Sequence, residues 1–201
     1  MTNIHDNIKM ILKNKVAVIS GISKIFGMAV ANLFNKDGAN ITIVSRNEKL
    51  MNKTVEEISS SGRNIIGIKC DSTNREDVKV AIEKIIDKYG KMDILFNNDM
   101  NFGGSIIIVS AAKREIIGLT KNLAKELRNS SIRVNCIGPG IVRKDFDSKN
   151  QNENFSHLKR NGTLIDIANA VLYFASDMSN WITGQTLIID RGELFLEIED
   201  E

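Results

Sequence analysis

Two spacings of apolar residues alternate along the chain, one typical of buried strands and the other of amphipathic helices. Short apolar runs that predict strands occupy residues 15–19, 41–44, 65–70, 92–96, 105–109, 132–137 and 186–189. Between these runs, apolar residues recur every three or four positions, as they do on one face of a helix. The alternation predicts an α/β fold, a single Rossmann-like, doubly wound, mostly parallel sheet with helices on both faces.

Several helix boundaries carry signals of their own. Thr73 and Glu76 have the spacing of a capping box, and Thr163 and Asp166 are predicted to open a helix that runs through Phe174. The apolar stripe behind the box at Thr73 is predicted to face inward and consists of Val78, Ile82, Ile85, Ile86 and Tyr89. A long helix is predicted over residues 111–128, with an inward face made of Ile116, Leu119, Leu123 and Leu127.

The connection between the fourth and fifth predicted strands is too short for a helix. Only residues 97–104 are available, whereas a parallel strand pair needs a crossover of about a dozen residues or more, usually a helix. About eight residues reach at most about 28 Å when fully extended. The helix between strands four and five is therefore predicted to be missing. An extended return of the chain and an antiparallel hairpin both stay open.

Composition restricts the classes of partner and compartment. The length of 201 residues fits one domain over 15–193, with an N-terminal extension over 1–14 and an acidic tail over 194–201. A net charge of +2 without a basic run favours neither nucleic acid nor a membrane as partner. Two cysteines and two histidines supply neither a disulfide framework nor a four-ligand zinc site, so no metal is expected. We find no secretory, membrane or peroxisomal signal and expect a cytoplasmic protein.

A glycine-containing turn follows the first predicted strand and opens a helix. It runs from residue 20 to residue 27 and contains Gly21 and Gly27. Such a turn lets the backbone approach a pyrophosphate at a helix N-terminus, although two glycines alone also fit a purely structural turn. At the end of the second strand, where an acidic residue would bind a ribose 2′-hydroxyl, the chain has Ser45 and Arg46. A guanidinium there, with Lys24 in the turn, favours a 2′-phosphate, and so NADP over NAD.

The chain resembles the short-chain dehydrogenase/reductase family over nearly its whole length. The matching segments follow the family's order and are residues 20–27, 70–72, 92–98, 103–107, 117–120, 132–135 and 139–140. The segments around Cys136, at 103–110 and at 182–185 are most similar to the NADPH-dependent carbonyl/retinal reductase branch. The resemblance implies a single NAD(P)-binding domain that uses NADP(H) to interconvert carbonyl and alcohol substrates.

The resemblance also implies a role for individual residues. The residues expected at the adenosine half of the cofactor are Gly21, Ser23, Lys24, Gly27, Ser45, Arg46, Asp71 and Ser72. Among them, Arg46 would bind the 2′-phosphate and Asp71 would accept a hydrogen bond from the adenine amino group. Asn97 would hold the central sheet at the cofactor, and the backbone of Val142 would meet the nicotinamide amide. Lys113 matches the lysine that binds the nicotinamide ribose and lowers the pKa of the catalytic tyrosine.

The chain departs from the family at the catalytic residues. The tyrosine position, four residues before Lys113, is Val109, and the segment with the catalytic serine is absent. About 50 residues are missing from the middle of a domain that usually has roughly 250 residues. Tyr89 and Tyr173 do not replace the tyrosine, because neither is followed by a lysine after four positions. The same loss removes much of the family's dimer interface and predicts an altered homo- or hetero-oligomer.

Smaller departures affect the cofactor site. Ile25 replaces the middle glycine of the turn, Asp99 follows the paired asparagines, and Lys144 replaces a threonine. We therefore predict an NADP(H)-dependent oxidoreductase by family whose cofactor binding is weakened and whose catalysis is impaired. The alternatives are a non-catalytic NADP-binding or interaction protein, and a truncated product of splicing or of a faulty gene prediction.

Overall fold

The computed structural model describes residues 10–21, 25–59, 64–98, 117–140, 142–143, 158, 160 and 162–192. The chain divides into two compact units, Met1–Met100 and Asn101–Glu201. The predicted strand at 105–109 and the short connection at 97–104 fall wholly or largely outside the described residues, so the direction of that strand stays a prediction. The domain limits stay a prediction as well.

The first unit is built on a four-stranded parallel sheet with strand order β3-β2-β1-β4. Its strands are β1 (Val16–Ser20), β2 (Asn40–Ser45), β3 (Ile65–Lys69) and β4 (Ile94–Phe96). In β1, Ala17 pairs with Ile41 of β2 on one side and with Ile94 of β4 on the other. All strand pairings between described residues are parallel. The predicted α/β, Rossmann-like, mostly parallel fold is confirmed.

Helices cover both faces of this sheet. They are α1 (Ile25–Lys36), α2 (Glu48–Ser59) and α3 (Arg75–Tyr89). Gly67 lies on the α2 face, because a Cβ added there would come within 2.9 Å of the Met51 side chain. The next residue, Ile68, points to the opposite face, where it shares a core cluster with Ala81 and Ile85 of α3. Helices on opposite faces are what a doubly wound sheet requires.

The start of α3 differs from the sequence prediction. The N-cap is Asn74, whose Oδ1 accepts from the backbone N–H groups of Glu76 and Asp77 at 2.9 and 3.3 Å. The predicted capping box of Thr73 and Glu76 is therefore wrong. Thr73 instead donates its hydroxyl to the Asp71 carboxylate at 2.7 Å, which leaves the helix N-terminus to the next residue.

The inward face of α3 is also narrower than predicted. Ala81 and Ile85 are buried, whereas Ile82 and Ile86 are more than two-fifths exposed. These two isoleucines lie on one flank of the helix, beside the buried stripe. The prediction that both face inward is wrong for the described structure.

The second unit contains two short parallel strand pairs and two helices among its described residues. Helix α4 covers residues 117–126 and continues as a 3-10 helix, Leu127–Ser130. The strands are β5 (Cys136–Pro139), β6 (Val142–Arg143), β7 (Gly162–Thr163) and β8 (Thr186–Ile189), with β5 paired to β8 and β6 to β7. Helix α5 spans Leu164–Ala175, followed by a 3-10 turn at Asp177–Ser179.

Two predicted features of the second unit are wrong. The strand predicted over 132–137 begins only at Cys136, and Ile132 is half exposed. In α4 the buried positions are Thr120 and Ala124, whereas Leu119 is exposed. In the described part of α4, the buried face is therefore the one that carries Thr120 and Ala124, and not the predicted face that carries Leu119.

Polar contacts hold both ends of α5. At its start, the predicted helix opening at Thr163 and Asp166 is confirmed, and the Asp166 carboxylate accepts from the N–H and the hydroxyl of Thr163, each at 2.8 Å. At its end, the Arg133 guanidinium donates to the carbonyl of Phe174 at 2.9 Å and to the hydroxyl of Ser179 at 2.8 Å. Carbonyls in the last turn of a helix have no partner within the helix, so a guanidinium there satisfies them. No helix among the described residues is long and apolar enough to cross a membrane.

Candidate functional site

The candidate site lies at the carboxyl edge of the four-stranded sheet. The chain moves outward from β1 to β2 and β3, and then returns to place β4 on the other side of β1. The crevice outside the carboxyl ends of β1 and β4 is thus the point where the strand order reverses. Open α/β sheets bind their ligands at such a point.

A hydrogen-bond network joins the ends of β1 and β4. Ser20, the last residue of β1, donates its hydroxyl to Oδ1 of Asn97 at 2.8 Å and accepts the N–H of Asn98 at 3.3 Å. The Asn98 side chain donates to the carbonyl of Gly21 at 3.1 Å. Gly21 has φ 69°, a left-handed conformation that glycine adopts without steric cost. The network therefore fixes Gly21, the first glycine of the turn, against the end of the neighbouring strand β4.

A second polar cluster lies at the ends of β2 and β3. The two strand ends are joined where the Cys70 N–H donates to the carbonyl of Ser45 at 3.1 Å. Arg46 and Asp71 follow these strands, and Nη1 of Arg46 lies 4.0 Å from Oδ2 of Asp71. The Arg46 side chain is 67% exposed and that of Asp71 is 36% exposed. A guanidinium and a carboxylate thus face solvent together at this edge.

Asp71 is held by the turn that follows it. Its Oδ1 accepts from the backbone N–H of Thr73 at 3.0 Å and from the Thr73 hydroxyl at 2.7 Å. These bonds, with a smaller contribution from the charge of Arg46, hold the pKa of the Asp71 carboxyl below its usual value. Asp71 is consequently ionised at neutral pH.

The backbone around Arg46 is shaped by the start of α2. Asn47 caps this helix, since its Oδ1 accepts from the N–H of Leu50 at 3.0 Å. The hydroxyl of Ser45 accepts from the N–H of Asn47 at 3.1 Å. Arg46 is therefore held in a tight turn between a strand end and a helix N-terminus, and its side chain extends outward.

The structure brings together part of the predicted site. Gly21, Ser45, Arg46, Asp71, Ser72 and Asn97 all lie at the carboxyl edge, and Gly27 lies buried in α1. Ser23, Lys24, Lys113 and the tyrosine position Val109 lie outside the described residues, as do Asp99 and Lys144. The predicted nicotinamide contact Val142 lies in β6 of the second unit. The roles assigned to these residues stay predictions.

The two tyrosines lie away from this edge. Tyr89 ends α3 on the side where β4 begins, which is the amino edge of the sheet. Its ring packs against the core cluster, and burial raises the pKa of its hydroxyl. Tyr173 lies within α5 of the second unit, with its ring 5.7 Å from that of Phe174. Tyr89 is therefore not placed to act on a ligand at the carboxyl edge.

Sequence reasoning missed two contributors to the site. Ser20 is almost fully buried, and Asn98 is the residue that holds the carbonyl of Gly21. A polar residue at the end of an otherwise apolar buried strand was the available signal for Ser20. Because a buried hydroxyl is costly without a partner, such a residue points to a hydrogen-bond network.

The donor set at this edge fits the adenosine half of a nicotinamide dinucleotide. Gly21 offers a left-handed turn at the end of β1, and Arg46 offers an exposed guanidinium, the group best suited to bidentate phosphate binding. The Asp71 carboxylate offers an acceptor for an amino group. An α/β protein with these groups along the carboxyl edge of its parallel sheet has the features of the dinucleotide-binding class.

Comparison with known proteins identifies the family. The short chain dehydrogenase profile matches residues 15–99, and the profile described as enoyl-(acyl carrier protein) reductase matches residues 100–193. The chain belongs to the short-chain dehydrogenase/reductase family of oxidoreductases. A nicotinamide dinucleotide is the cofactor that this membership suggests.

Relatives from several branches are similar to the chain at comparable levels. The 3-oxoacyl-(acyl-carrier-protein) reductase of Chlamydia pneumoniae is 30% identical, over 90% of this chain and 97% of its own. Dehydrogenase/reductase SDR family member 4 of Oryctolagus cuniculus is 26% identical, over 90% of this chain and 94% of its own. The structure of L-sorbose reductase from Gluconobacter frateurii, solved with NADPH and L-sorbose, is similar with a TM-score of 0.78 and 21% sequence identity. The match covers 93% of this chain and 99% of the reductase chain. The carbonyl/retinal reductase branch thus stays a prediction.

The alignments also show where this chain is shorter. The alignment with the Chlamydia pneumoniae reductase covers 241 positions but uses 90% of a 201-residue chain, or about 180 residues, so about 60 positions have no counterpart here. Since 97% of the relative is covered, these positions are internal. The two family profiles meet between residues 99 and 100, shortly after β4. The shortening agrees with the prediction from the short connection.

Proposed function

We propose that this chain is an NADP(H)-binding short-chain dehydrogenase/reductase of the carbonyl/alcohol type whose catalysis is impaired. The observation that carries the cofactor preference is Arg46, a 67% exposed guanidinium directly after β2. An acidic residue at this place would bind the ribose 2′-hydroxyl of NAD, whereas arginine accommodates the 2′-phosphate of NADP. The NADPH found in the complex with L-sorbose reductase supports the same choice.

The residues that would hold the cofactor come from three strand ends. The turn at Gly21 would approach the pyrophosphate, Arg46 would bind the 2′-phosphate, and Asp71 would accept from the adenine amino group. Ser20 and Asn98 keep the turn in place. When bound, the nicotinamide ring would supply hydride chemistry.

The proposal of impaired catalysis rests on the sequence around Lys113. A carbonyl reductase needs a group that gives a proton to the substrate oxygen, and the tyrosine position here is Val109, which has no proton to give. Lys113 would still bind the ribose, but a lysine cation does not replace the lost acid. A chain of this kind would keep the cofactor half of the mechanism and lose most of the rate.

The test of this proposal is a comparison of NADPH and NADH binding by calorimetry. The wild type is expected to bind NADPH more tightly than NADH. Arg46→Asp is expected to abolish this preference, because it replaces the phosphate partner with a like charge. Lys79→Asp, which makes the same change of charge at an exposed position of α3, is the matched control and should keep the preference.

Equal affinity of the wild type for both nucleotides, or tighter binding of NADH, would overturn the assignment to NADP(H). An equal loss of preference in Lys79→Asp would show that the net charge of the protein, rather than Arg46, determines the preference.

The cytoplasm is the compartment that we propose for this activity. Cys70 is buried and Cys136 is half-buried, and both are free thiols. Free thiols are typical of a reducing compartment, where they are not converted to disulfides.

A further inference from the structure

Asp71 offers its two carboxylate oxygens to different partners. Oδ1 accepts both hydrogen bonds from Thr73, at 3.0 and 2.7 Å. Oδ2 is the oxygen that lies 4.0 Å from Nη1 of Arg46. Because Thr73 fixes the orientation of the carboxylate, its second oxygen is held toward the guanidinium.

Asp71 is also the one carboxylate paired with Arg46 in the part of the chain that the structure describes. The nearby acids are engaged elsewhere, since Glu48 pairs with Lys69 at 3.6 Å and Asp77 accepts from the N–H of Asp71 at 3.0 Å. The positive charge that would attract a 2′-phosphate is therefore offset by one identifiable negative charge.

We infer that Asp71 is a specificity-determining residue that competes with the 2′-phosphate of the cofactor for the Arg46 guanidinium. This inference rests on the proposed function. A phosphate on Arg46 would come close to the Asp71 carboxylate, and two anions on one guanidinium repel each other. NADH has no 2′-phosphate, so its binding avoids this repulsion. Asp71 thereby narrows the preference for NADPH over NADH that Arg46 creates.

Asp71→Asn tests the effect of the negative charge on NADPH binding, because it removes the charge and keeps the size and shape of the side chain. Asparagine keeps one carbonyl oxygen to accept from Thr73, and it exchanges the second carboxylate oxygen and the negative charge for a neutral NH2 group of the same size. For a solvent-exposed group the expected gain in NADPH affinity is about three- to tenfold. NADH has no 2′-phosphate for the Asp71 charge to repel, so its affinity is expected not to gain. Loss of an acceptor for the adenine amino group would affect both nucleotides alike, so the ratio of NADPH to NADH affinity is the readout, and it should rise about three- to tenfold.

The experiment measures dissociation constants of NADPH and NADH by calorimetry for the wild type, Asp71→Asn, Arg46→Gln and the double variant. Asp87→Asn is the matched control, since it removes one exposed carboxylate from α3 near the opposite end of that helix. The gain caused by Asp71→Asn should disappear in the Arg46→Gln background, because the two effects are coupled only if Asp71 acts through Arg46. If Asp71→Asn does not fold, Asp71→Ser removes the same charge and keeps a hydroxyl acceptor.

The outcomes separate this inference from the proposed function. If Arg46→Gln weakens NADPH binding but Asp71→Asn changes nothing, or weakens both nucleotides equally, the inference is wrong and the proposed function stands. If neither the wild type nor Asp71→Asn binds a nucleotide, both are wrong. If only Asp71→Asn binds NADPH, Asp71 is the group that prevents binding and the inference holds.

Discussion

Asn74 is the side chain on which the N-terminus of α3 depends. Its Oδ1 serves two backbone N–H groups that have no partner within the helix. We expect Asn74→Ala to lower the free energy of unfolding by about 1 kcal/mol, the usual cost of losing an N-cap. Chemical denaturation measures the change, with Lys79→Ala, an exposed position of the same helix, as control. A loss in the control as large as that in Asn74→Ala would contradict a specific role of the cap.

Asp166 makes the stability of the second unit depend on pH. Arg160 donates to both of its oxygens at 2.7 Å, and Thr163 adds two further bonds. These contacts, the Arg160 bonds foremost, hold the pKa of the Asp166 carboxyl well below its usual range. The stabilisation is therefore fully present above the unfolded carboxyl pKa of about 4 and is lost as the pH falls toward the folded value.

Asp166→Asn is accordingly expected to cost about 1 kcal/mol of unfolding free energy at pH 7. The difference between the variant and the wild type should shrink as the pH is lowered below about 4, because the carboxyl of the unfolded wild type then takes up a proton while the folded carboxyl, with its lowered pKa, resists protonation. Urea denaturation at several pH values measures both the loss of unfolding free energy at pH 7 and its decrease at low pH. A difference that is constant from pH 7 to pH 3 would show that the charge of Asp166 does not matter.

Neighbouring apolar residues of helix α3 differ sharply in how far their side chains are buried. Ile85 is 1% exposed and belongs to the core cluster, whereas Ile86 is 42% exposed. Leu95 of β4 is 61% exposed and pairs with Val18, so it points to the sheet face that α3 covers. Apolar side chains of α3 and β4 are thus left in contact with solvent beside a well-packed core.

We expect Ile85→Ala to cost about 2–4 kcal/mol, as large-to-small changes in a packed core do. Ile86→Ala should change stability by no more than about 1 kcal/mol, because surface substitutions usually have small effects. Thermal and chemical denaturation of the two variants measure both losses of stability. Similar losses in both variants would show that the exposed flank of α3 is covered in solution.

At the scale of the whole molecule, the internal shortening is expected to lower the rate of carbonyl reduction, because it removes the catalytic tyrosine. A general acid contributes typically about 10²–10⁴-fold to a rate, and the tyrosine position is Val109. Hydride transfer from NADPH to small ketones, quinones or dicarbonyls should therefore be close to background. The measurement is the absorbance of the reduced nicotinamide over hours, with purified protein and saturating NADPH. A turnover of about 1 s⁻¹ or more that is lost in Lys113→Ala would contradict impaired catalysis.

The sequence by itself determined the architecture of this protein, because hydrophobic periodicity reports directly which face of each segment is buried. The α/β alternation, the parallel sheet, the exact bounds of β8 and the start of α5 at Thr163 and Asp166 followed from local patterns. The short connection after β4 revealed the shortening because chain geometry limits what eight residues can span.

Only the tertiary structure decided what depends on neighbours distant in sequence. Ile85 and Ile86 are equally apolar, but the path of α3 across the sheet buries only the first. Arg46 and Asp71 are separated by 24 residues and face each other because β2 and β3 are parallel neighbours whose carboxyl ends share one edge. A sequence pattern states what each segment tends to do, whereas these pairings arise only when the packed strands bring their ends together.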